Sequence, residues 1–365
     1  MSEANHAAGD AVILIPAYEP DDRLPAYIRK LEEAGFGHIV VVDDGSGENW
    51  DPVFQALEGI PRTRVIRYMP NGGKGHALKT GYRFIADHIP EASGVITADA
   101  DGQHTVEDCI RLAEKLEGHE RELYLGARDF SLPEIPPKSR FGNRMTSAVF
   151  RALYGQWLDD TQTGLRAFRR EELPLMMETE GDRYEYEMKV LIACTRAGIP
   201  IISVPIETIY ENNNEGSHFH PIRDSWRIYR VILGSFFRFM EASLICFLVD
   251  QGLAFALREW LLPAFGLAAG SLWNINISGW GARIISAVLN FQLNRKLVFR
   301  MKGSAGKAGL RYAVVALAIA SLSNLGVWAL GRIGMSGWLA KIIMDTLLYF
   351  VSYRVQDRWV FGEDR

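Results

Sequence analysis

Cysteine is scarce: Cys109, Cys194 and Cys246 are the whole complement. Their number is odd and they share no metal-ligand spacing. That argues against a disulfide framework or a zinc site and for a reducing compartment. An excess of positive charge is also missing. The net charge is −4, so no nucleic acid is expected as a partner. The start, Met1 to His6, lacks the basic end and apolar core of a signal peptide. The first apolar run, Ala11 to Pro16, falls far short of the ~20 residues a bilayer needs. The N-terminal half is therefore expected to stay in the cytosol.

What is present divides in two. With 365 residues, two domains are expected. Residues 1–220 mix charged and apolar runs as a soluble α/β domain does. Residues from about 236 to 361 are mostly apolar, and a basic cluster at 295–311 suits a membrane face. In the first half, Ala11–Pro16 and Ile39–Val42 read as strands buried on both faces. Further strands are expected at 64–68, running into Asp99, at 123–125 and at 201–205. Helical spacing lies between them, which implies a mainly parallel sheet. Ligands bind such sheets at the carboxyl ends of the strands.

Polar clusters fall at those ends. Asp99-Ala100-Asp101 follows the fourth strand, where alternation sends both carboxylates to one side. Two hard carboxylates suit Mg²⁺ or Mn²⁺, which can hold a diphosphate leaving group. A solvated turn would use the same residues. Pro16-Ala17-Tyr18-Glu19 follows the first strand, and Tyr18 either stacks on a base or sits at a rim. Asp43-Asp44 follows the second strand, to accept hydrogen bonds from a nucleoside or to cap a helix. Gly72-Gly73-Lys74-Gly75 either approaches a phosphate or makes a plain turn. It lacks Walker spacing.

Together, Ile-Pro-Ala-Tyr-Glu (15–19), Val-Asp-Asp-Gly-Ser (42–46), Asn-Gly-Gly-Lys-Gly-His-Ala (71–77) and Asp-Ala-Asp-Gly-Gln (99–103) resemble family 2 glycosyltransferases of the GT-A fold. Within these, the chain is most similar to polyprenyl- and dolichol-phosphate sugar transferases. One departure is that many relatives read Pro-x-Tyr-Asn-Glu where this chain has Pro-Ala-Tyr-Glu-Pro. The resemblance implies that Pro16, Tyr18, Glu19, Asp43, Asp44, Lys74, Asp99 and Ala100 bind the nucleotide sugar. It implies that Asp99 and Asp101 hold Mg²⁺ or Mn²⁺, and that Asp101, Gln103, Arg128 and Arg140 serve catalysis. The two arginines match phosphate-holding positions, and guanidinium forks suit phosphate oxygens. Asp160 to Arg166 resembles the family's Asp-x-Gln-x-Gly stretch on the acceptor side. Glu185 and Glu187, two apart on a helix, do not face each other and are a poor metal pair. His218 and Arg223 are possible phosphate contacts.

The second half is expected to be all-α, with four spans near 236–257, 278–297, 312–333 and 338–359, preceded by an amphipathic helix at 221–235. Basic residues between spans two and three and after span four place both on the cytosolic side. Asn290-Phe291 with Lys296-Leu297-Val298-Phe299 recurs as Ser352-Tyr353 with Arg358-Trp359-Val360-Phe361. This half resembles the small GtrA-like membrane family. Asp250, Asn290, Asn294 and Asp345 either line a path or bond helix to helix. The whole reads as an integral membrane protein, with an oligomer allowed for. Its expected reaction moves a sugar from a nucleotide-sugar donor to polyprenyl phosphate with inversion. The rivals are a lipid-linked sugar flippase or scaffold, and a processive polysaccharide synthase. Gln356-Asp357-Arg358-Trp359 approximates the synthase's Gln-x-x-Arg-Trp but is one residue short.

Overall fold

Seven strands make one sheet in the order β3-β2-β1-β4-β6-β5-β7 in the computed structural model of the chain. It describes all residues except 1–9, 119, 134, 208–220, 269–270, 300, 302 and 363–365. The loop carrying His218 lies outside the described residues, as does the side chain of Arg223. The strands are β1 (Ala11–Ala17), β2 (His38–Asp43), β3 (Thr63–Arg67), β4 (Gly94–Thr97), β5 (Leu123–Ala127), β6 (Arg166–Arg169) and β7 (Ile201–Pro205). The helices among them are α1 (Leu24–Glu33), α2 (Asp51–Glu58), α3 (Lys74–His88), α4 (Val106–Leu116), α5 (Pro137–Tyr154), α6 (Leu173–Glu178) and α7 (Glu185–Arg196).

The continuous apolar runs are the central strands. Val12 to Ile15 and Ile39 to Val42 are fully buried, because helices cover both faces of the sheet. All pairings are parallel except those of β6, which runs antiparallel between β4 and β5. This strand is absent from the sequence reading. Arg-Ala-Phe-Arg is too short to show alternation. A second difference lies at Asp99. Strand β4 ends at Thr97, so both aspartates sit on a turn closed by Gly102 at φ 74°. Thr105 then caps α4, its hydroxyl accepting from the Asp108 N–H at 3.1 Å.

The chain divides into two compact units, Met1–Ile232 and Leu233–Arg365. The second unit is helical: α8 (Pro221–Ala256, which begins in the first unit), one short turn α9 (Leu262–Ala264), α10 (Leu272–Leu293), α11 (Ala305–Arg332) and α12 (Gly337–Val355). The expected amphipathic helix is not a separate element. It runs on as α8 because no second proline interrupts the helix after Pro221, and Gly234 and Gly252 are accommodated within it. Ile228–Ala264 and Ala305–Arg332 are long and apolar enough to cross a bilayer. Large apolar side chains such as Trp273 and Leu317, each 72% exposed, cover this unit, which suits lipid rather than water.

The internal repeat has a structural counterpart. Both copies end in π-helical stretches, Asn294–Val298 and Gln356–Val360. The phenylalanines that follow, Phe299 and Phe361, stack at 5.0 Å. The polar residues bond helix to helix. Ser286 donates to Asp250 at 3.0 Å, Tyr312 to Asn290 at 3.1 Å, and Ser323 to Asp345 at 2.6 Å. A cavity of about 450 Å³ lies beside Asn290, Tyr312, Asp345, Ser352 and Gln356. Gln356 is buried and accepts from Asn294 at 3.1 Å. The near-match to the synthase signature is thus part of a helix-packing network.

Candidate active site

Asp43 and Asp44 end β2 and are both buried. The Asp43 carboxylate accepts from Arg67 Nε at 2.9 Å and from the Ser46 N–H at 2.8 Å. Asp44 accepts from the Tyr68 hydroxyl at 2.5 Å, Asn71 Nδ2 at 3.0 Å, the Gly72 N–H at 2.7 Å and the Gly73 N–H at 2.8 Å. Burial and the Asp44 charge hold the Tyr68 hydroxyl well above the ordinary tyrosine pKa. Asp44 therefore fastens the glycine loop. On the rim, Tyr18 is 40% exposed. Glu19 adopts φ 50°, and its N–H donates to Ser46 Oγ at 2.9 Å. Pro16 pairs with Val42 in the sheet.

The glycines of the loop are there for close approach. A Cβ on Gly73 would lie 2.5 Å from the Asp182 carbonyl, and one on Gly75 would lie 2.5 Å from Tyr186 Cβ. The loop is thereby pressed against the start of α7. Lys74, first residue of α3, emerges between two carboxylates. Its Nζ lies 2.7 Å from Asp99 Oδ1 and 2.9 Å from Glu187 Oε1. Burial opposes the charge on Lys74, but Asp99 and Glu187 outweigh it and raise the pKa above the lysine norm. Glu187 is a site residue that sequence reasoning set aside. The helix rule that separates it from Glu185 says nothing of a partner from another element.

Asp99 is enclosed on its other sides. His104 Nε2 lies 3.4 Å from Oδ2, and the buried His104 Nδ1 has no hydrogen-bond partner among the described residues. Gly164 packs so closely that a Cβ there would lie 2.3 Å from Oδ2. The Gly164 carbonyl accepts from Thr97 Oγ1 at 2.7 Å. Burial would raise the Asp99 pKa, yet Lys74 and His104 hold it well below the usual carboxylate range. Asp101 is pushed the other way, up, by burial and by the charge on Asp99. Its Oδ1 accepts only from the Gln103 N–H, at 3.1 Å, among the hydrogen bonds described.

This donor set fits a hard divalent cation. Asp101 carries no cationic partner among the described ion pairs, and the Asp99–Asp101 repulsion is what a metal relieves. Among the described residues, no group of three or more His, Cys, Asp or Glu converges. The remaining ligands would be water and diphosphate, as Mg²⁺ ordinarily prefers.

Arg128 lies beyond β5. Its guanidinium grips the fully buried Asp160, Nε at 2.7 Å and Nη2 at 3.2 Å. Arg140, in the first turn of α5, donates to the Leu132 carbonyl at 2.8 Å. Its buried Nε has no partner among the described residues. Arg166 is structural, tying the Thr163 and Glu187 carbonyls at 3.0 and 2.7 Å. The segment 160–166 thus links the Arg128 pair to the wall of the Asp99 pocket.

Comparison with known proteins gives the same division of the chain. Residues 12–173 match the family described as Glycosyl transferase family 2, and 238–361 match GtrA/DPMS, transmembrane domain. An uncharacterized protein of Methanocaldococcus jannaschii is 30% identical over 57% of this chain and 86% of its own length. The UDP-N-acetylglucosamine–dolichyl-phosphate N-acetylglucosaminyltransferase of Methanococcus voltae is 29% identical over 54% of this chain and 85% of its own. Glycosyltransferase AglJ of Haloferax volcanii is 30% identical over 60% and 70%.

Proposed function

The chain belongs to glycosyl transferase family 2, joined to a GtrA/DPMS transmembrane domain, and we propose that it transfers a sugar from a UDP- or GDP-sugar to polyprenyl phosphate with inversion. The observation that carries this reading is the Asp99–Asp101 pair at the end of β4, with Lys74 beside it. The names of relatives such as the Methanococcus voltae enzyme favour a lipid-phosphate acceptor.

Asp99 and Asp101 would hold Mg²⁺ or Mn²⁺, which when bound offsets charge on the diphosphate leaving group. Tyr18 and Glu19 at the rim of β1 and β2 frame the nucleoside, over a floor made by Pro16, Asp43 and Asp44. Ala100 and Lys74 border the diphosphate, and Gln103 and Arg140 orient the reacting groups. Arg128 acts together with Asp160, so its guanidinium is presented rigidly. The lipid phosphate is its own nucleophile. Its second pKa is near 6, so it is ionised at neutral pH and needs no general base. One of its oxygens bonds to the anomeric carbon as the nucleoside diphosphate departs from the opposite face. The carboxylates and imidazole nearest the pocket are engaged, Glu187 by Lys74 and His104 by Asp99. That leaves them poor candidates for a base.

The membrane unit anchors the catalytic unit by four spans, with the catalytic unit on the cytosolic face. The domains proposed are 1–220, a juxtamembrane stretch at 221–235, and 236–365. The test uses purified full-length protein in nanodiscs, undecaprenyl phosphate, and a panel of UDP- and GDP-sugars. The expected result is nucleoside diphosphate release that requires the lipid and is matched by lipid-linked sugar. Lipid-independent hydrolysis with every donor, or none at all, would reject the transferase reading.

A further inference from the structure

We infer that Lys74 is the displaceable counter-ion of Asp99, so that the divalent cation and the nucleoside diphosphate are taken up together. This rests on the metal reading of the site and deepens it. Three observations carry it.

First, both Asp99 oxygens already face a side-chain nitrogen. Oδ1 is 2.7 Å from Lys74 Nζ and Oδ2 is 3.4 Å from His104 Nε2. A cation that binds Asp99 must therefore share the carboxylate with the Lys74 ammonium at close range, and like charge drives the two apart. Second, the ammonium is aimed by the backbone. Gly73, at φ 98°, and Gly75 press the loop onto Asp182 and Tyr186, so Lys74 leaves α3 toward the pocket. Third, Lys74 has a second carboxylate to rest on. Glu187 lies 2.9 Å away, and its side chain is only 12% exposed. Once Asp99 is given to a metal, Glu187 still neutralises the lysine.

The electrostatics fix the sign. A divalent ion placed against Asp99 repels the neighbouring ammonium, and in a poorly solvated pocket that repulsion is strong. A diphosphate supplies further anionic oxygens, which stabilise both cations at once. Metal alone is thus opposed by Lys74, whereas metal with diphosphate is favoured by it. By linkage, each ligand then strengthens the other by the same factor. A donor site built this way stays paired until a nucleotide arrives.

The experiment is Mn²⁺ binding by the full chain in detergent micelles, read by electron paramagnetic resonance, without nucleotide and with UDP or GDP. In the wild type, nucleoside diphosphate is expected to tighten Mn²⁺ binding at least about 10-fold, within the usual range of such couplings. Lys74→Met is expected to bind Mn²⁺ about 10-fold more tightly than wild type without nucleotide, with the coupling factor reduced by a similar amount. Glu187→Gln leaves the lysine to Asp99 alone and should shift nucleotide-free affinity the opposite way. A folded Lys74→Met protein that binds Mn²⁺ no more tightly without nucleotide overturns the inference. If that variant does not fold, an unchanged Mn²⁺ affinity in Glu187→Gln overturns it instead. Wild-type protein that takes up no Mn²⁺ even with UDP and GDP overturns the metal reading itself, a separate outcome.

Discussion

Gly164 sits where one methyl group should disable the catalyst and leave the fold standing. An added Cβ would lie 2.3 Å from Asp99 Oδ2 and 2.5 Å from Oδ1. The backbone has little room to retreat. The Gly164 carbonyl is held by Thr97 at 2.7 Å, and β6 begins two residues later. The carboxylate must yield instead, by about 1 Å to reach ordinary contact. A movement of that size displaces the carboxylate from its 2.7 Å pairing geometry with Lys74. Misplacing a reacting or metal-holding group by about 1 Å costs on the order of 10²-fold in rate. Overpacking of this kind destabilises by about 1–3 kcal/mol, well within what a folded domain tolerates. Gly164→Ala should therefore slow single-turnover transfer about 10²-fold at saturating donor and lipid, and weaken Mn²⁺ binding. Circular dichroism should still report a folded chain. A folded Gly164→Ala protein with wild-type rate and metal affinity would refute the placement of Asp99 argued from this contact.

Two further outcomes follow from the ion pairs and the helices. Arg128→Ala strands the fully buried Asp160, so denaturant unfolding should show a loss of about 3–5 kcal/mol along with lost transfer. Adding Asp160→Asn should restore much of the stability but not the rate, and a single variant as stable as wild type would contradict the buried pair. In the four-span arrangement, a cysteine at Ser304 should label from the cytosolic side and one at Ser336 from the opposite side. Labelling of Ser336→Cys from the cytosol rejects that topology.

The strands most legible in the sequence are those buried on both faces. Val12 to Ile15 and Ile39 to Val42 need no partner to be recognised, because burial on two sides demands an unbroken apolar run. Strand β6 fails that test. Its Arg166 is buried only because the Thr163 and Glu187 carbonyls receive its donors, a fact of tertiary structure. The aspartates of 99–101 are legible from residue type and position, but Lys74's second partner is not. Glu187 arrives from α7, more than a hundred residues along the chain from Lys74, and no periodicity reports such a meeting. The change in composition near 236 marks a change of solvent, not a helix end. That is why α8 continues through it.

The reversed strand also sets an order of assembly. Strands β4 and β5 never touch, and β6 is the piece that joins them. On the ribosome, β4 and β5 emerge well before β6 and must wait with open edges, the state most prone to stray pairing. The same late segment brings Gly164 against Asp99. The joining of β4 to β5 and the closing of the Asp99 wall are one event in the life of the nascent chain, and α7 with Glu187 and strand β7 follow it. A chain synthesised only as far as β5 therefore has no walled pocket in which to sequester nucleotide sugar.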